Sequence, residues 1–141
     1  MNRAEGPPRS DCPISFALEI FGDRWTLIVL RDILLRGRKR YKELADCDEG
    51  IATNVLADRL KRLERRGLVR KERSAEDARQ FTYQPTEMAV SLLPMLLEMT
   101  VWGLRNTDTP GGPAFLQRFE TDRETLIAEW QRDIRAKAGL K

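Results

Sequence analysis

Four residues between Gly50 and Gly67 combine hydroxyl, amide, small and cationic side chains at the spacing of one side of a helix: Thr53, Asn54, Ala57 and Lys61. An Asn side chain can form two hydrogen bonds with an adenine, and a small Ala side chain can touch a thymine methyl group. A Lys side chain can bind a phosphate. The four therefore suit contacts with base edges and the phosphates beside them. Solvated helices often carry the same pattern, so the neighbouring segments decide its interpretation.

The helix that must position these residues is indicated by apolar side chains at the 3.6-residue period. Its apolar side is formed by Ala52, Leu56, Leu60 and Leu63. Gly67 is a favourable helix stop. The opposite side is polar and carries Asn54, Asp58, Lys61 and Arg65. An amphipathic helix with a polar, partly cationic outer side is what a DNA-reading helix requires.

Asp58 is unexpected on that outer side, because DNA phosphates repel a carboxylate. Two roles stay open for it: accepting a hydrogen bond from a cytosine amine, or orienting a neighbouring arginine. Three arginines lie nearer the apolar side of the helix, where we expect salt bridges within the protein: Arg59, Arg62 and Arg66.

Positive charge is concentrated between Arg36 and Arg73, which hold thirteen Lys/Arg and seven Asp/Glu residues, although the 141-residue chain has a net charge of only +3. Such clustering predicts a surface that binds a polyanion. The residues expected to hold a phosphate backbone are Arg38, Lys39, Arg40, Tyr41, Arg73 and Arg79.

The chain has no histidine and no glycine motif that cradles phosphate, which excludes most enzyme classes and most zinc sites. Its two cysteines, Cys12 and Cys47, do not make a disulfide framework. A thiol enzyme built on Cys12 would lack a histidine to activate the thiol. We therefore expect neither catalysis nor a bound metal or cofactor.

The order of elements predicts a mainly α fold with a small β-wing (α+β), a winged helix-turn-helix with flanking dimerisation helices. Residues 1–11 are expected to form a flexible arm, residues 12–107 the winged domain with its dimerisation helices, and residues 108–141 a linker and a C-terminal helical extension. A first helix begins at Pro13. A second, Arg24 to Leu35, is apolar on nearly every side and is therefore expected to be central to the core.

A helix-turn-helix is predicted where a short helix, Tyr41 to Ala45 with Tyr41 facing inward, precedes an acidic turn and the longer helix. The hydrophobic period then changes from 3.6 to 2. This change predicts strands at Leu68–Arg73 and Gln80–Gln84 with a short polar tip between them. A two-stranded ribbon in this place is a wing, whose arginines can reach a phosphate or the minor groove.

The helix after the wing is interrupted by Pro94 and is more apolar than a small winged domain needs, so we favour a dimer seam over internal packing. The candidate interface residues are Ile14, Leu18, Leu97, Val101, Trp102 and Trp130. Beyond a linker at Asp108–Pro113, Thr121 and Glu124 form a capping box that is expected to open the last helix. No apolar run approaches the length of a membrane span and no secretory signal is present, so a cytoplasmic protein without a membrane partner is expected.

The stretch from Cys12 to about Gly103 resembles the HxlR family of bacterial winged-helix regulators, relatives of the MarR group. The matching segments are CPISFALEIFGDRWTLIVLRDIL, RYKEL, GIATNVLADRLKRLERRGLVRK, YQPTEMAVSLLPML and VWG. Two features depart from the family: Asp23 stands where members usually have a second glycine before Lys/Arg-Trp, and the tail after Asn106 is longer than expected.

The resemblance implies a homodimer whose recognition helices enter successive major grooves of a pseudo-palindromic operator in double-stranded DNA, with wings on the flanks. It also implies a repressor or activator, and members often respond to electrophiles, oxidants or small metabolites. Cys12, at a helix start near Arg9, matches a cysteine that several members use for redox sensing. The alternative, an inert and partly buried cysteine, has at least as much support. Cys47 lies in the acidic turn, which disfavours a thiolate.

The leading interpretation is a sequence-specific, dimeric DNA-binding transcriptional regulator, more specifically a repressor, with a possible thiol-reactive or small-molecule effector. The alternative from another class is a winged-helix module that binds an acidic protein partner without specific DNA binding.

Overall fold

A computed structural model describes residues 7–141; residues 1–6, which belong to the predicted N-terminal arm, lie outside the described residues. The elements are α1 (Pro13–Phe21), α2 (Thr26–Leu34), α3 (Tyr41–Ala45), α4 (Thr53–Arg65), β1 (Val69–Arg73), β2 (Phe81–Pro85), α5 (Glu87–Val90), α6 (Leu93–Arg105) and α7 (Gly112–Ala138). The chain forms two compact units that divide between Ala89 and Val90. This division lies earlier than the expected boundary after residue 107.

The first unit is built around α2 and α4, which are adjacent in its core. The deeply buried apolar side chains of these two helices are Val29, Leu30, Ile33, Leu34, Leu56, Leu60 and Leu63, each at most 4% exposed. The amphipathic pattern of α4 is therefore confirmed. The expectation that α2 is central to the core is also confirmed, and even its Asp32 is buried, at 1% exposure.

The first helix begins at Pro13 as expected, with Cys12 at its N-cap, and ends at Gly22. Any side chain at Gly22 would collide with the protein, since a Cβ there would lie 2.4 Å from the carbonyl oxygen of Leu18. Ile14 and Leu18 are 70% and 58% exposed, so α1 presents an apolar side to solvent.

The wing is an antiparallel pair in which Val69 lies opposite Pro85 and Arg73 lies opposite Phe81. A third segment joins it: the backbone N–H of Tyr83 donates to the carbonyl of Lys39 at 2.7 Å, and Arg40 forms a bridge with Thr82. The sequence did not predict this segment, because a single bridged residue has no hydrophobic period. It ties the start of α3 to the wing.

The second unit begins with Val90, the last residue of α5; α6 begins at Leu93, with Pro94 in its first turn, so the predicted interruption is confirmed. Leu97 and Val101 are 0% and 3% exposed within the single chain. Their assignment to a dimer interface is therefore corrected, because a partner could not reach them. Met99 and Trp102, at 51% and 71%, are the exposed large apolar residues of α6.

The last helix spans 27 residues but contains non-helical backbone at Asp122 (φ −147°, ψ 43°). The two halves of α7 fold back on each other at this point. Two contacts between the halves show this: the ring centroids of Phe115 and Trp130 are 6.1 Å apart, and Arg118 binds Glu129 at 2.6 Å. The predicted capping box is wrong, since the Thr121 hydroxyl donates to the carbonyl of Gln117 at 2.9 Å within the first half. The apolar residues of the second half are largely covered within this chain, with Leu126, Ile127 and Ile134 buried and Trp130 half-buried.

The stretch Glu87–Arg105 reaches a mean hydropathy of 1.3 and is long and apolar enough, by length and composition, to cross a membrane. The expectation that no stretch approaches this limit is therefore wrong. The core helix of a soluble protein passes the same test, and α5 and α6 are separate helices within this stretch.

Candidate nucleic-acid interface

The outer side of α4 presents the polar residues expected to meet DNA. Thr53, Asn54 and Lys61 are exposed, and Ala57 is half-buried beside them. Among residues 7–141, no carboxylate lies within ion-pair distance of Lys61. An exposed ammonium without a carboxylate partner is available to a phosphate.

Asp23 connects the start of α2 with the middle of α4. Its carboxylate accepts hydrogen bonds from the backbone N–H groups of Trp25 (2.8 Å) and Thr26 (3.0 Å), from the Thr26 hydroxyl (2.5 Å) and from Arg59 Nε (2.9 Å). Burial alone would raise the pKa of the Asp23 carboxyl, but these hydrogen bonds outweigh burial and hold the pKa well below its usual range. Asp23 thus satisfies backbone donors at the start of α2 and anchors the helix that would read DNA.

Arg59 extends this connection to the outer side of α4. Its Nη1 donates to Asp58 at 2.6 Å while its Nε holds Asp23, and the hydrogen bond to Asp23 raises the pKa of the Arg59 guanidinium. The predicted intramolecular salt bridge of Arg59 is confirmed. Two roles were left open for Asp58, and in the free protein it pairs with an arginine, Arg59. The expected direction is reversed, because Arg59 is held by Asp23 and therefore orients Asp58.

The buried Asp32 is surrounded by three arginines at the end of α2. Its carboxylate lies 2.9 Å from Arg31, 3.5 Å from Arg36 and 3.6 Å from Arg38. One signal for this cluster was present in the sequence, because Asp32 and Arg36 are four residues apart, the spacing of an ion pair on a helix.

The same arginines hold the acidic turn of the helix-turn-helix. Arg31 forms two hydrogen bonds with Glu49, at 2.6 and 2.9 Å, and Arg36 binds Asp48 at 3.0 Å. Arg38 Nη1 donates to the carbonyl of Asp46 at 2.7 Å. The guanidinium of Arg38 is thus engaged with the turn in the free protein, and its contact with phosphate stays a prediction. Together these contacts fix the turn that leads into α4.

Glu49 makes the turn sensitive to acid. The hydrogen bonds from Arg31 lower the pKa of the Glu49 carboxyl to about 2, from an ordinary value of 4.5. A carboxyl whose pKa is depressed by folding stabilises the protein above its unfolded pKa and loses this contribution as the pH falls. We expect Glu49→Gln to be less stable than the wild type above pH 5, with the difference vanishing between about pH 4.5 and pH 2. Urea denaturation at a series of pH values measures it; a difference that is constant with pH would contradict the assignment.

The start of α3 and the wing tip meet through charge. Arg40 Nη2 lies 2.5 Å from Glu76, whose side chain is 80% exposed. Lys39 is exposed. Tyr41 is 36% exposed and its hydroxyl donates to the carbonyl of Thr53 at 2.9 Å, so the expectation that it faces inward is wrong. This contact joins α3 to the first residue of α4.

The wing carries a row of cations and aromatic rings on its exposed side. Lys71 Nζ lies 4.5 Å from the ring centroid of Phe81, and the Arg73 guanidinium lies 5.2 Å from it. Arg73 also donates to the carbonyl of Ala78 at 2.7 Å, and Arg79 pairs loosely with Asp77 at 3.3 Å while remaining 92% exposed. Lys71 was not among the predicted contacts, although its alternation with Arg73 along β1 was a signal for it.

The comparison with known proteins decides the family. The sequence model of the family described as HxlR-like helix-turn-helix matches residues 20–110. This chain belongs to the HxlR-like helix-turn-helix family. It is 30% identical over 102 residues to the HTH-type transcriptional regulator YybR of Bacillus subtilis, a match covering 72% of this chain and 81% of that one. The regulator BH0655 of Halalkalibacterium halodurans is 30% identical over 96 residues, covering 68% of this chain and 85% of BH0655.

Solved structures agree with this HxlR-type assignment. The redox regulator HypR in its reduced form has a TM-score of 0.61 and 30% identity, covering 69% of this chain and 95% of HypR. A MarR-family regulator from Porphyromonas gingivalis has a TM-score of 0.60 and 26% identity, and the match covers 73% of this chain and 100% of the P. gingivalis chain. The reduced form of YodB from B. subtilis has a TM-score of 0.55 and 29% identity, and the match covers 66% of this chain and 91% of YodB. The predicted winged fold is confirmed, and the protein is a transcriptional regulator of HxlR type.

The two cysteines of this HxlR-type regulator lie in different surroundings. Cys12 is exposed at the N-cap of α1, and the cation expected beside it, Arg9, binds Glu19 at 3.3 Å. Cys47 is buried, and its thiol donates to Glu49 at 3.2 Å. Of the two thiols, only Cys12 is accessible to a reagent.

The contact between Arg40 and Glu76 implies a measurable effect on DNA binding by this HxlR-type regulator. A phosphate that binds the predicted contact residue Arg40 would have to displace Glu76, and the Glu76 carboxylate would also repel DNA. We therefore expect Glu76→Gln to bind a duplex containing the operator about 2- to 10-fold more tightly at low salt. Fluorescence anisotropy measures it, with Glu120→Gln as the control because Glu120 is an exposed carboxylate paired with Arg105 in the second unit. Equal affinities for the two variants would contradict the contact's role.

Proposed function

We propose that this HxlR-type regulator binds a pseudo-palindromic operator in double-stranded DNA as a homodimer and acts as a repressor in the cytoplasm, at the nucleoid. The observation that carries the proposal is the outer side of α4, where Lys61 and Asn54 are exposed on a helix tied to α2 and α3 by Arg59 and Tyr41. A rigidly held helix suits the major groove when polar side chains on its outer side, here Lys61 and Asn54, have no partner among residues 7–141.

Phosphate contacts are assigned to residues around this helix. Lys39, Arg40 and Tyr41 lie before it, and Arg73 and Arg79, with Lys71, lie on the wing after it. Thr53, Asn54, Ala57 and Lys61 are assigned to base edges and adjacent phosphates. Contacts to phosphate would supply affinity and register, and contacts to base edges would supply specificity.

A homodimer is supported by apolar side chains that the single chain leaves exposed. In the first unit these are Ile14 and Leu18, and in the second unit they are Met99 and Trp102. Trp130 is half-buried, and its ring lies near Phe115, so it is a weaker candidate. Exposed large apolar residues on two helices are typical of protein interfaces.

Redox control through Cys12 is supported by the exposure of its thiol and by the structural likeness to HypR, a redox regulator, and to YodB, whose structure is also known with a bound quinone. In this proposal, an electrophile alkylates the Cys12 thiol, or an oxidant such as diamide takes up two electrons and two protons as the Cys12 thiol forms a disulfide with a second thiol. Either change at the start of α1 alters the dimer and releases the operator.

Mobility shift with the DNA upstream of the protein's own gene and its divergent neighbour tests the proposal, at several salt concentrations and with or without diamide. We expect a competitor-resistant, two-fold footprint whose affinity falls steeply with salt. Release by diamide that disappears in Cys12→Ser would support the sensor, whereas equal release in both proteins would exclude it. Weak binding that is indifferent to sequence would contradict the proposal and favour a module that binds an acidic protein.

A further inference from the structure

Asp58 lies on the proposed DNA-binding side of α4 together with Asn54, Lys61 and Arg65, and its side chain is 55% exposed. A carboxylate in this position opposes binding to any polyanion, because phosphates repel it. Electrostatic attraction therefore does not explain why Asp58 lies among residues suited to contact DNA. A favourable contact between its carboxylate and one particular base would explain this position.

The carboxylate of Asp58 has a defined orientation. Its Oδ2 accepts from Arg59 Nη1 at 2.6 Å, and Arg59, only 18% exposed, is itself held at 2.9 Å by Asp23. Asp23 is fixed in turn by two backbone N–H groups and the Thr26 hydroxyl. The chain of contacts therefore runs from the start of α2 to the outer side of α4. Within residues 7–141, Oδ1 of Asp58 has no hydrogen-bond donor, so an oriented, exposed acceptor remains.

The chemistry of base edges decides what such an acceptor can bind. In the major groove, guanine presents N7 and O6, and thymine presents O4, all of which are acceptors that repel a carboxylate. Cytosine presents the N4 amine as a donor with only a C–H group beside it. Adenine also has a donor, N6, but its neighbouring N7 is an acceptor that faces the second carboxylate oxygen. Cytosine is therefore the base that a fixed carboxylate favours.

We propose that Asp58 selects cytosine at one position in each half of the operator by accepting a hydrogen bond from the cytosine N4 amine, and that Arg59 and Asp23 position its carboxylate. The inference rests on the proposed operator binding and names one of its specificity determinants. Asp58 disfavours all DNA through repulsion and recovers binding energy only where the amine is present, so it increases the difference between operator and random DNA.

Selection from a pool of duplexes with randomised sequence tests the proposal, with wild type, Asp58→Asn and Asp58→Ala compared by sequencing of the bound fraction. For the wild type we expect a cytosine preference of roughly 5- to 150-fold at one position per half-site. Asp58→Ala should lose the preference there and bind random duplex more tightly. Asp58→Asn should shift it toward adenine, because an amide pairs with N6 and N7.

Glu64→Gln is the matched control, since it removes one exposed negative charge from the same helix on a different side. It should leave the base preference unchanged. The positioning role of Arg59 is tested by Arg59→Gln, which should weaken the preference for cytosine, and by Arg59→Lys, which should restore part of it. Base preference, rather than total affinity, is the readout, because a merely structural loss would lower binding to all duplexes equally.

The outcomes separate this inference from the proposed function. If the wild type selects a two-fold site and Asp58→Ala selects the same bases at every position, Asp58 is not a specificity determinant while operator binding stands. If the wild type selects no sequence at all, operator binding itself is wrong and this inference falls with it. Loss of the cytosine preference in Asp58→Ala, with the base preference of Glu64→Gln equal to that of the wild type, supports both operator binding and the role of Asp58.

Discussion

Replacing Lys61 with glutamate should weaken operator binding by at least about 100-fold, because it removes an exposed cation from the outer side of α4 and places a carboxylate against phosphate. Among residues 7–141 no carboxylate pairs with Lys61, so the free protein would lose little stability. The midpoint of thermal unfolding should remain within a few degrees of the wild type. Fluorescence anisotropy with a labelled operator duplex measures the affinity.

Lys141→Glu is the control for net charge, because it makes the same change at an exposed residue beyond α7. It should lower affinity only slightly, through long-range repulsion that salt screens. A Lys61→Glu variant that binds as well as Lys141→Glu would mean that α4 does not face the DNA. The wing or α3 would then have to carry the contacts.

Replacing Asp32 with asparagine should lower the free energy of unfolding by about 2–4 kcal/mol, because the amide leaves three arginines without their buried counter-charge. The amide has nearly the same shape as the carboxylate, so the loss reports charge and hydrogen bonding rather than packing. The turn between α3 and α4 should loosen, because Arg31 and Arg36 also hold Glu49 and Asp48. Urea denaturation followed by circular dichroism measures the change.

Asp48→Asn is the matched control, since Asp48 shares Arg36 with Asp32 but its side chain is 68% exposed, against 2% for Asp32. An exposed ion pair contributes less than about 1 kcal/mol. Equal losses for the two variants would show that burial does not strengthen this cluster. A large loss at Asp32 alone would identify it as the residue that holds the end of α2 to the turn.

The sequence by itself determined the elements whose signals are local. The 3.6-residue period predicted α4, the change to a period of 2 predicted β1 and β2, Pro13 marked the start of α1, and Pro94 separated α5 from α6. These signals can be recognised without a tertiary structure because a helix or strand with one apolar side shows its period in the residues themselves. The family resemblance then followed from the order of these segments.

Only the tertiary structure decided which residues pair with each other. Asp23 and Arg59 are 36 residues apart in the chain, as are Arg40 and Glu76, and no period links them. For the same reason the sequence did not predict that the guanidinium of Arg38 donates to the carbonyl of Asp46.

Burial of apolar residues was also decided by the tertiary structure. The pattern of α6 predicted an apolar side but not what covers it, and Leu97 and Val101 are buried inside the single chain while Trp102 is exposed. In α7 the sequence motif of a capping box was present at Thr121, but the helix already begins at Gly112. The Thr121 hydroxyl therefore donates to the carbonyl of Gln117 in the preceding turn. Hydrophobic periodicity shows that a side must be covered; the covering partner is set by the packing of segments distant in sequence.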